Sequence, residues 1–234
     1  MNIQTLKTRA ITAVVFVLVM LIGLFMNEWT FIGLFSLIFF GCLFEFIKIV
    51  RLIYGRRYLY YTSFALLYIL MPVLMMLDLG LDIATTASGE NHLVYSPLLP
   101  CAILFSVWIN DTMAYLVGSM IGKTPFSKIS PKKTWEGTIG GVILCVAVIS
   151  WLGNSISIAQ NYDTIDWVIL SALAAVFGTL GDLFESKLKR TAGLKDSGKI
   201  MPGHGGFLDR FDSMLVATPF VWIFLRIFLI PATS

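Results

Sequence analysis

Seven apolar runs, each about as long as a bilayer is thick, leave this chain few folds to choose from: 10–26, 29–50, 61–77, 97–121, 136–158, 165–184 and 213–230. A helix crossing the hydrocarbon core needs about 20 mainly apolar residues. Composition points the same way, with 57% hydrophobic and 13% charged residues, against about 45–50% and 25% in soluble domains. The expected fold class is all-α, a polytopic integral membrane bundle of about seven transmembrane helices. The first run lacks a small-residue cleavage site and reads as a retained span rather than a secretory signal. Cys42, Cys101 and Cys145 fall inside apolar runs; an odd number of such thiols reads as packing, not as a disulfide framework.

The connecting segments sort by charge. With the N-terminus inside, 16 of the 17 basic residues lie in cytoplasmic segments, while the opposite loops hold Glu28, Asp78, Asp82, Glu90, Asp163 and Asp166 and no Lys or Arg. The positive-inside rule then sets the topology as N-in, C-out. The exception is Arg226, near the outer end of the last run, which either snorkels or pairs within the bundle. The outer 78–96 segment is acidic and holds His92, which reads as a solvated loop residue.

Two cytoplasmic loops carry unusual chemistry: "GKTPFSKISPKKTWEGTIGG" (122–141) and "GDLFESKLKRTAGLKDSGKIMPGHGGFLDRFDS" (181–213). Asp209 and Asp212 are three apart, a spacing that puts both on one face of a helix, and Asp182 ends the preceding span on the same side. Three carboxylates of this kind either hold a hard cation such as Mg²⁺, or cap the last helix and pair with a lysine. Gly203, Gly205 and Gly206 allow the sharp bend of an anion-binding nest. Lys187, Lys189, Arg190, Lys195, Lys199 and Arg210 crowd the same loop, as phosphate binders or as a topogenic signal. His204 reads as a phosphate or carbonyl contact. Asn110 and Asp111 interrupt the fourth run, where a carboxylate is costly unless it faces a protein interior or a watery cavity; a polar contact between helices is the alternative. Lys132, Lys133 and Thr134 precede a helix whose first turn holds Glu136, so Thr134 either caps that helix or offers its hydroxyl to a phosphate.

The stretch Ser186–Asp212, "SKLKRTAGLKDSGKIMPGHGGFLDRFD", resembles the signature of the phosphatidate cytidylyltransferases, or CDP-diacylglycerol synthases, in Ser186, Lys189, Arg190, Lys195, Asp196, Pro202, His204, Gly205, Gly206, Asp209, Arg210 and Asp212, with Met201 where Leu, Ile or Phe is expected. The "NDTMAYLVGSMIGKTPFSKISPKKTWEGTIGG" stretch, the start "LKTRAITAVVF" and Glu45 are similar to that family as well. The resemblance covers the first 50 residues and most of the chain from about 97 onward; family members commonly carry about two more spans between. It implies a shortened N-terminal transmembrane region, 1–96, and a catalytic transmembrane region, 97–234, with cytoplasmic motif loops 122–135 and 185–212. It also implies a nucleotidyltransferase converting CTP and phosphatidic acid of the cytoplasmic leaflet into CDP-diacylglycerol and pyrophosphate, at the inner membrane of a bacterium. Asp182, Asp209 and Asp212 would hold Mg²⁺, alone or with a second cation. Lys189 and Arg210 would complete the catalytic set. Substrate contacts would come from Asn110, Asp111, Lys132, Lys133, Thr134, Glu136, Ser186, Arg190, Lys195, Asp196, His204, Gly205 and Gly206. A homodimer is implied, and no nucleic-acid partner. The alternatives are a CTP-dependent membrane lipid kinase and an ion or solute transporter; the Asp-Gly-x-x-Ala-Arg start of the CDP-alcohol phosphatidyltransferases is absent.

Overall fold

The computed structural model describes residues 3–85, 91–127, 129–198, 200 and 205–229. Among the described residues, five helices are long and apolar enough to cross a membrane: Glu28–Thr62, Leu98–Ile121, Trp135–Ser155, Thr164–Thr191 and Leu208–Leu229. The expected runs at 10–26 and 61–77 correspond to shorter apolar stretches of helix, Ala10–Phe25 and Leu66–Gly80. The chain is thus an all-α polytopic membrane protein, and it divides into two compact units. One comprises Met1–Pro97 and Leu188–Phe211, the other Leu98–Lys187 and Asp212–Ser234.

In the first unit α1 (Ile3–Phe25) leads into α2 (Glu28–Tyr54). Asn27 starts α2 with a reciprocal cap: its side chain accepts from the Thr30 amide at 2.9 Å, and its own amide donates to the Thr30 hydroxyl at 3.2 Å, which satisfies two otherwise orphaned donors. Gly23 lets α1 approach α2, since a Cβ there would lie 2.7 Å from Leu34 Cβ. The buried face of α2, Phe31, Phe35, Ile38, Cys42 and Ile49, is at most 1% exposed, while Phe40 and Phe44 on its other side are about two-thirds exposed, as a lipid-facing surface would be. A short α3 (Tyr58–Thr62), a π-type turn at Leu66–Leu70 and α4 (Met71–Gly80) follow.

The 78–96 segment is not the plain loop expected. Strands β1 (Leu81–Thr85) and β2 (Asn91–Tyr95) pair antiparallel, Leu81 opposite Tyr95 and Ala84 opposite His92. The Tyr95 hydroxyl donates to the Leu24 carbonyl, and its ring packs 5.1 Å from Phe31. An aromatic anchor of this kind gives a two-stranded ribbon the packing it lacks alone.

In the second unit α5 (Leu98–Ile121) and α6 (Trp135–Ser155) lie close because their contact is made of small residues. A Cβ at Gly137 would sit 2.6 Å from the Ala114 carbonyl, and one at Gly141 2.7 Å from Ala114 Cβ, the arrangement that lets helices approach closely without a hydrophobic drive. Helix α7 (Thr164–Thr191) and helix α8 (Leu208–Phe224, extended by a π-type turn Leu225–Leu229) complete the unit. Within it Gly181 of α7 meets the α8 backbone, since a Cβ there would lie 2.6 Å from the Asp212 carbonyl. That close approach sets the geometry of the carboxylates described next.

Candidate active site

Helix α7 continues two turns past the end of its apolar run, so Asp182 and Glu185 are successive residues on one helical face. The Gly181 contact brings Asp212, in the first turns of α8, to the same place. One carboxylate oxygen from each of Asp182, Glu185 and Asp212 lies within 4.8 Å of the other two. Glu185 and Asp212 are buried, and Asp182 is partly exposed. Three carboxylates this close repel one another strongly unless a cation or protons intervene. Lys133, from the loop before α6, forms an ion pair with Asp182 Oδ2; the two side chains are 25% and 28% exposed, so this edge of the cluster is open to a ligand. The Ser186 hydroxyl donates to Asp182 Oδ1 at 3.2 Å, and Asp212 Oδ1 accepts from the Ser213 amide at 2.7 Å. Asp111, exposed on α5, acts electrostatically on both Lys133 and Asp182.

The loop that delivers Lys133 is held closed. The Phe126 amide donates to the Lys133 carbonyl at 2.8 Å, the Trp135 amide to the Thr124 carbonyl at 3.0 Å, and the Phe126 and Trp135 rings pack edge-on. Thr134 caps α6, its hydroxyl oxygen accepting from the Gly137 amide at 3.1 Å. Glu136 folds back to accept from the Thr124 hydroxyl at 2.8 Å and from the Lys123 and Thr124 amides at 3.2 Å. These two residues therefore build the loop, and Lys132 is exposed on it. Asn110 is 2% exposed and donates to the Thr179 hydroxyl at 3.1 Å, so it serves the polar contact between α5 and α7.

A second cluster belongs to the first unit. Lys189, at the end of α7, donates to Asp209 Oδ1 at 2.5 Å. Asp209 Oδ2 accepts from the Ser197 amide at 2.9 Å and the Gly206 amide at 2.8 Å. Asp209 is thus held by three donors and lies outside the three-carboxylate group that includes Asp212. Of the glycines expected to form a phosphate nest, Gly203 lies outside the described residues, and the Gly206 amide donates to Asp209 Oδ2; the Leu208 amide donates to Glu45. Gly205 adopts φ +86°, and a Cβ on it would lie 2.4 Å from Asp209 Oδ2, which is why glycine stands there. Arg190 donates to the Leu194 carbonyl at 3.0 Å; it is exposed, as are Lys195, Asp196 and Arg210. His204 lies outside the described residues.

Sequence reasoning missed Glu185. The signal was present: the three-residue spacing that linked Asp209 to Asp212 also links Asp182 to Glu185. It missed Ser197 as well, which is 1% exposed between two carboxylates.

Comparison with known proteins places these features in a family. The chain is 38% identical over 150 residues to phosphatidate cytidylyltransferase 5, chloroplastic, of Arabidopsis thaliana, covering 64% of this chain and 37% of that protein. It is 43% identical over 140 residues to phosphatidate cytidylyltransferase 4, chloroplastic, of the same plant, covering 59% and 35%. To the phosphatidate cytidylyltransferase of Staphylococcus aureus (strain COL) it is 41% identical over 144 residues, covering 60% and 51%. The chain thus spans between about a third and a half of the length of these relatives. Residues 95–228, which carry both motif loops and the three-carboxylate group, match the model of the cytidylyltransferase family, and the chain belongs to that family.

Proposed function

We propose that the chain transfers the cytidylyl group of CTP to phosphatidic acid, forming CDP-diacylglycerol and releasing pyrophosphate at the cytoplasmic face of the membrane. The observation that carries this reading is the convergence of Asp182, Glu185 and Asp212 beside Lys133. In the reaction a phosphate oxygen of phosphatidic acid attacks the α-phosphorus of CTP. A new P–O bond forms, the bond from that phosphorus to the α–β bridging oxygen breaks, and pyrophosphate leaves with the electron pair. The attacking oxygen is already anionic near neutral pH, so no serine or cysteine nucleophile is required; the three thiols are buried. What is required is charge neutralisation and alignment of two polyanions.

The three-carboxylate group fits a divalent cation, with hard oxygen donors, two of them buried, and an open edge at Asp182. When bound there, Mg²⁺ would neutralise triphosphate charge. Lys133 is the cation of this cluster: paired with Asp182 and a quarter exposed, it can exchange a carboxylate oxygen for a phosphate oxygen without leaving its loop. The Ser186 hydroxyl steadies Asp182, and the Asp111 carboxylate attracts Lys133. In the first unit, the exposed Arg190, Lys195 and Arg210 are proposed as phosphate contacts. The charge partition supports a cytoplasmic site, where CTP and the inner-leaflet lipid are both available.

The test is pyrophosphate release from CTP by the purified protein in detergent, with and without phosphatidic acid. Release that requires both phosphatidic acid and Mg²⁺ supports the reading. CDP in place of pyrophosphate would identify a lipid kinase, and no turnover with either would end the proposal.

A further inference from the structure

Helix α2 carries a carboxylate in a stretch that is otherwise apolar. Glu45 is 1% exposed, and its partners lie more than 150 residues away. Its Oε2 accepts from the Ser197 hydroxyl at 2.6 Å and from the Leu208 amide at 2.9 Å, so one oxygen ties together both ends of the 197–208 segment. The single proton of the Ser197 hydroxyl is shared with Asp209 Oδ2, 2.9 Å from the same oxygen, and Asp209 in turn holds Lys189. The other oxygen, Oε1, faces two glycines. A Cβ on Gly198 would lie 2.0 Å from it and one on Gly206 2.2 Å, distances no real side chain tolerates, so both flanks of the segment close on this carboxylate. Oε1 has no hydrogen-bond partner among the described residues. A buried ionisable group in a spanning helix is costly, and among the described residues the Ser197 hydroxyl and the Leu208 amide offset that cost.

We infer that Glu45 is a positioning residue for the cytidylyl-transfer machinery: from α2 it fixes Ser197 and Leu208, which adjoin Asp209, the partner of Lys189, and stand two residues from the proposed phosphate contacts Lys195 and Arg210. It acts through the Ser197 hydroxyl and the Leu208 amide. The inference rests on the proposed function for its kinetic consequence, but not for its structural one.

The experiment compares full-length wild type with Glu45→Ala, Glu45→Gln, Ser197→Ala and the Glu45→Ala/Ser197→Ala double variant, purified in detergent. Two readouts are taken: kcat for phosphatidate-dependent pyrophosphate release, and the rate of tryptic cleavage after the exposed Lys195. Glu45→Ala is expected to lower kcat about 100-fold, the scale of an ångström-sized misplacement. Glu45→Gln, which keeps one acceptor oxygen, recovers part of that loss. Adding Ser197→Ala to Glu45→Ala lowers kcat less than about threefold further, because the two act through one chain of contacts. Cleavage after Lys195 accelerates in Glu45→Ala while cleavage at Arg56 and Lys123 keeps its wild-type rate; a merely structural role would expose all three together. Wild-type kcat with wild-type cleavage in Glu45→Ala overturns the inference, as does acceleration at all three sites alike. If Glu45→Ala cannot be purified folded, Glu45→Gln and Ser197→Ala decide by the same two readouts. If wild type releases no pyrophosphate, the functional reading falls, and cleavage at Lys195 alone decides the positioning role.

Discussion

Replacing Glu185 with Gln removes one charge from the three-carboxylate group while keeping its size. Each pair of ligand oxygens lies within 4.8 Å, and two unit charges at that distance repel by about 3.5 kcal/mol at an effective dielectric constant near 20. Glu185→Gln deletes two of the three repulsions, about 7 kcal/mol at that separation, a figure that protonation of one carboxyl lowers. The metal-free protein is therefore expected to become more stable, and the metal-bound protein to lose its advantage. At a Mg²⁺ concentration 100 times Kd, wild type gains about 2.7 kcal/mol, which for a chain of this size is about 5–10 °C in Tm. Cys42, Cys101 and Cys145 are all buried, so a thiol-reactive fluorophore reports unfolding directly. In EDTA, Glu185→Gln should melt above wild type; in Mg²⁺, its shift should be less than half the wild-type shift. A variant that melts below wild type in EDTA, or that keeps the full Mg²⁺ shift, would refute the electrostatic reasoning and with it the assignment of Glu185 to a cation site.

Other expectations follow from the same contacts. Lys133→Ala should lower kcat/KM about 10- to 150-fold, the value of one charge-assisted contact of about 1.5–3 kcal/mol, whereas Lys132→Ala, which stands exposed on the same loop, should cost far less; steady-state kinetics on both decides. Asp209→Asn should leave the Mg²⁺-dependent melting shift intact and lower stability in Mg²⁺ and EDTA alike, because Asp209 is held by Lys189, Ser197 and Gly206; loss of the shift in a thermal melt would instead return Asp209 to the cation site. Gly206→Ala should destabilise by more than about 2 kcal/mol through its clash with Glu45, and Glu45→Ala should restore part of the loss in a denaturation series. Single cysteines at Lys123 and Lys195, in a background without the native thiols, should react with an impermeant maleimide only from the cytoplasmic side; labelling of intact cells from outside would reverse the topology.

The helices were legible because a span announces itself by length and apolarity, as 29–50 and 97–121 do. Their ends were less legible. The apolar run of α7 stops at Phe184, but polarity does not stop a helix, and α7 continues to Thr191; that extension turns Glu185 from a loop residue into a neighbour of Asp182. At the other end, α8 begins at Leu208, so Asp209 stands in its first turn and reaches back to Gly206 and Ser197. Asp209 and Asp212 thus have different partners despite their spacing. The β1–β2 ribbon was hidden because "LDIAT" and "NHLVY" alternate too briefly to stand out from an acidic loop. The role of Glu45 depends on partners more than 150 residues away, and no local pattern encodes that.

That separation also has a consequence in time. Ser197 follows Glu45 by 152 positions, so at about 5–20 residues per second of synthesis α2 is made about 8–30 s before the first residue that can engage its carboxylate. Through that interval the Glu45 carboxylate lacks the two donors that bind it in the folded chain. Assembly therefore cannot be strictly sequential: the Glu45 carboxylate of α2 meets Ser197 and Leu208 only after α5, α6 and α7 have been made.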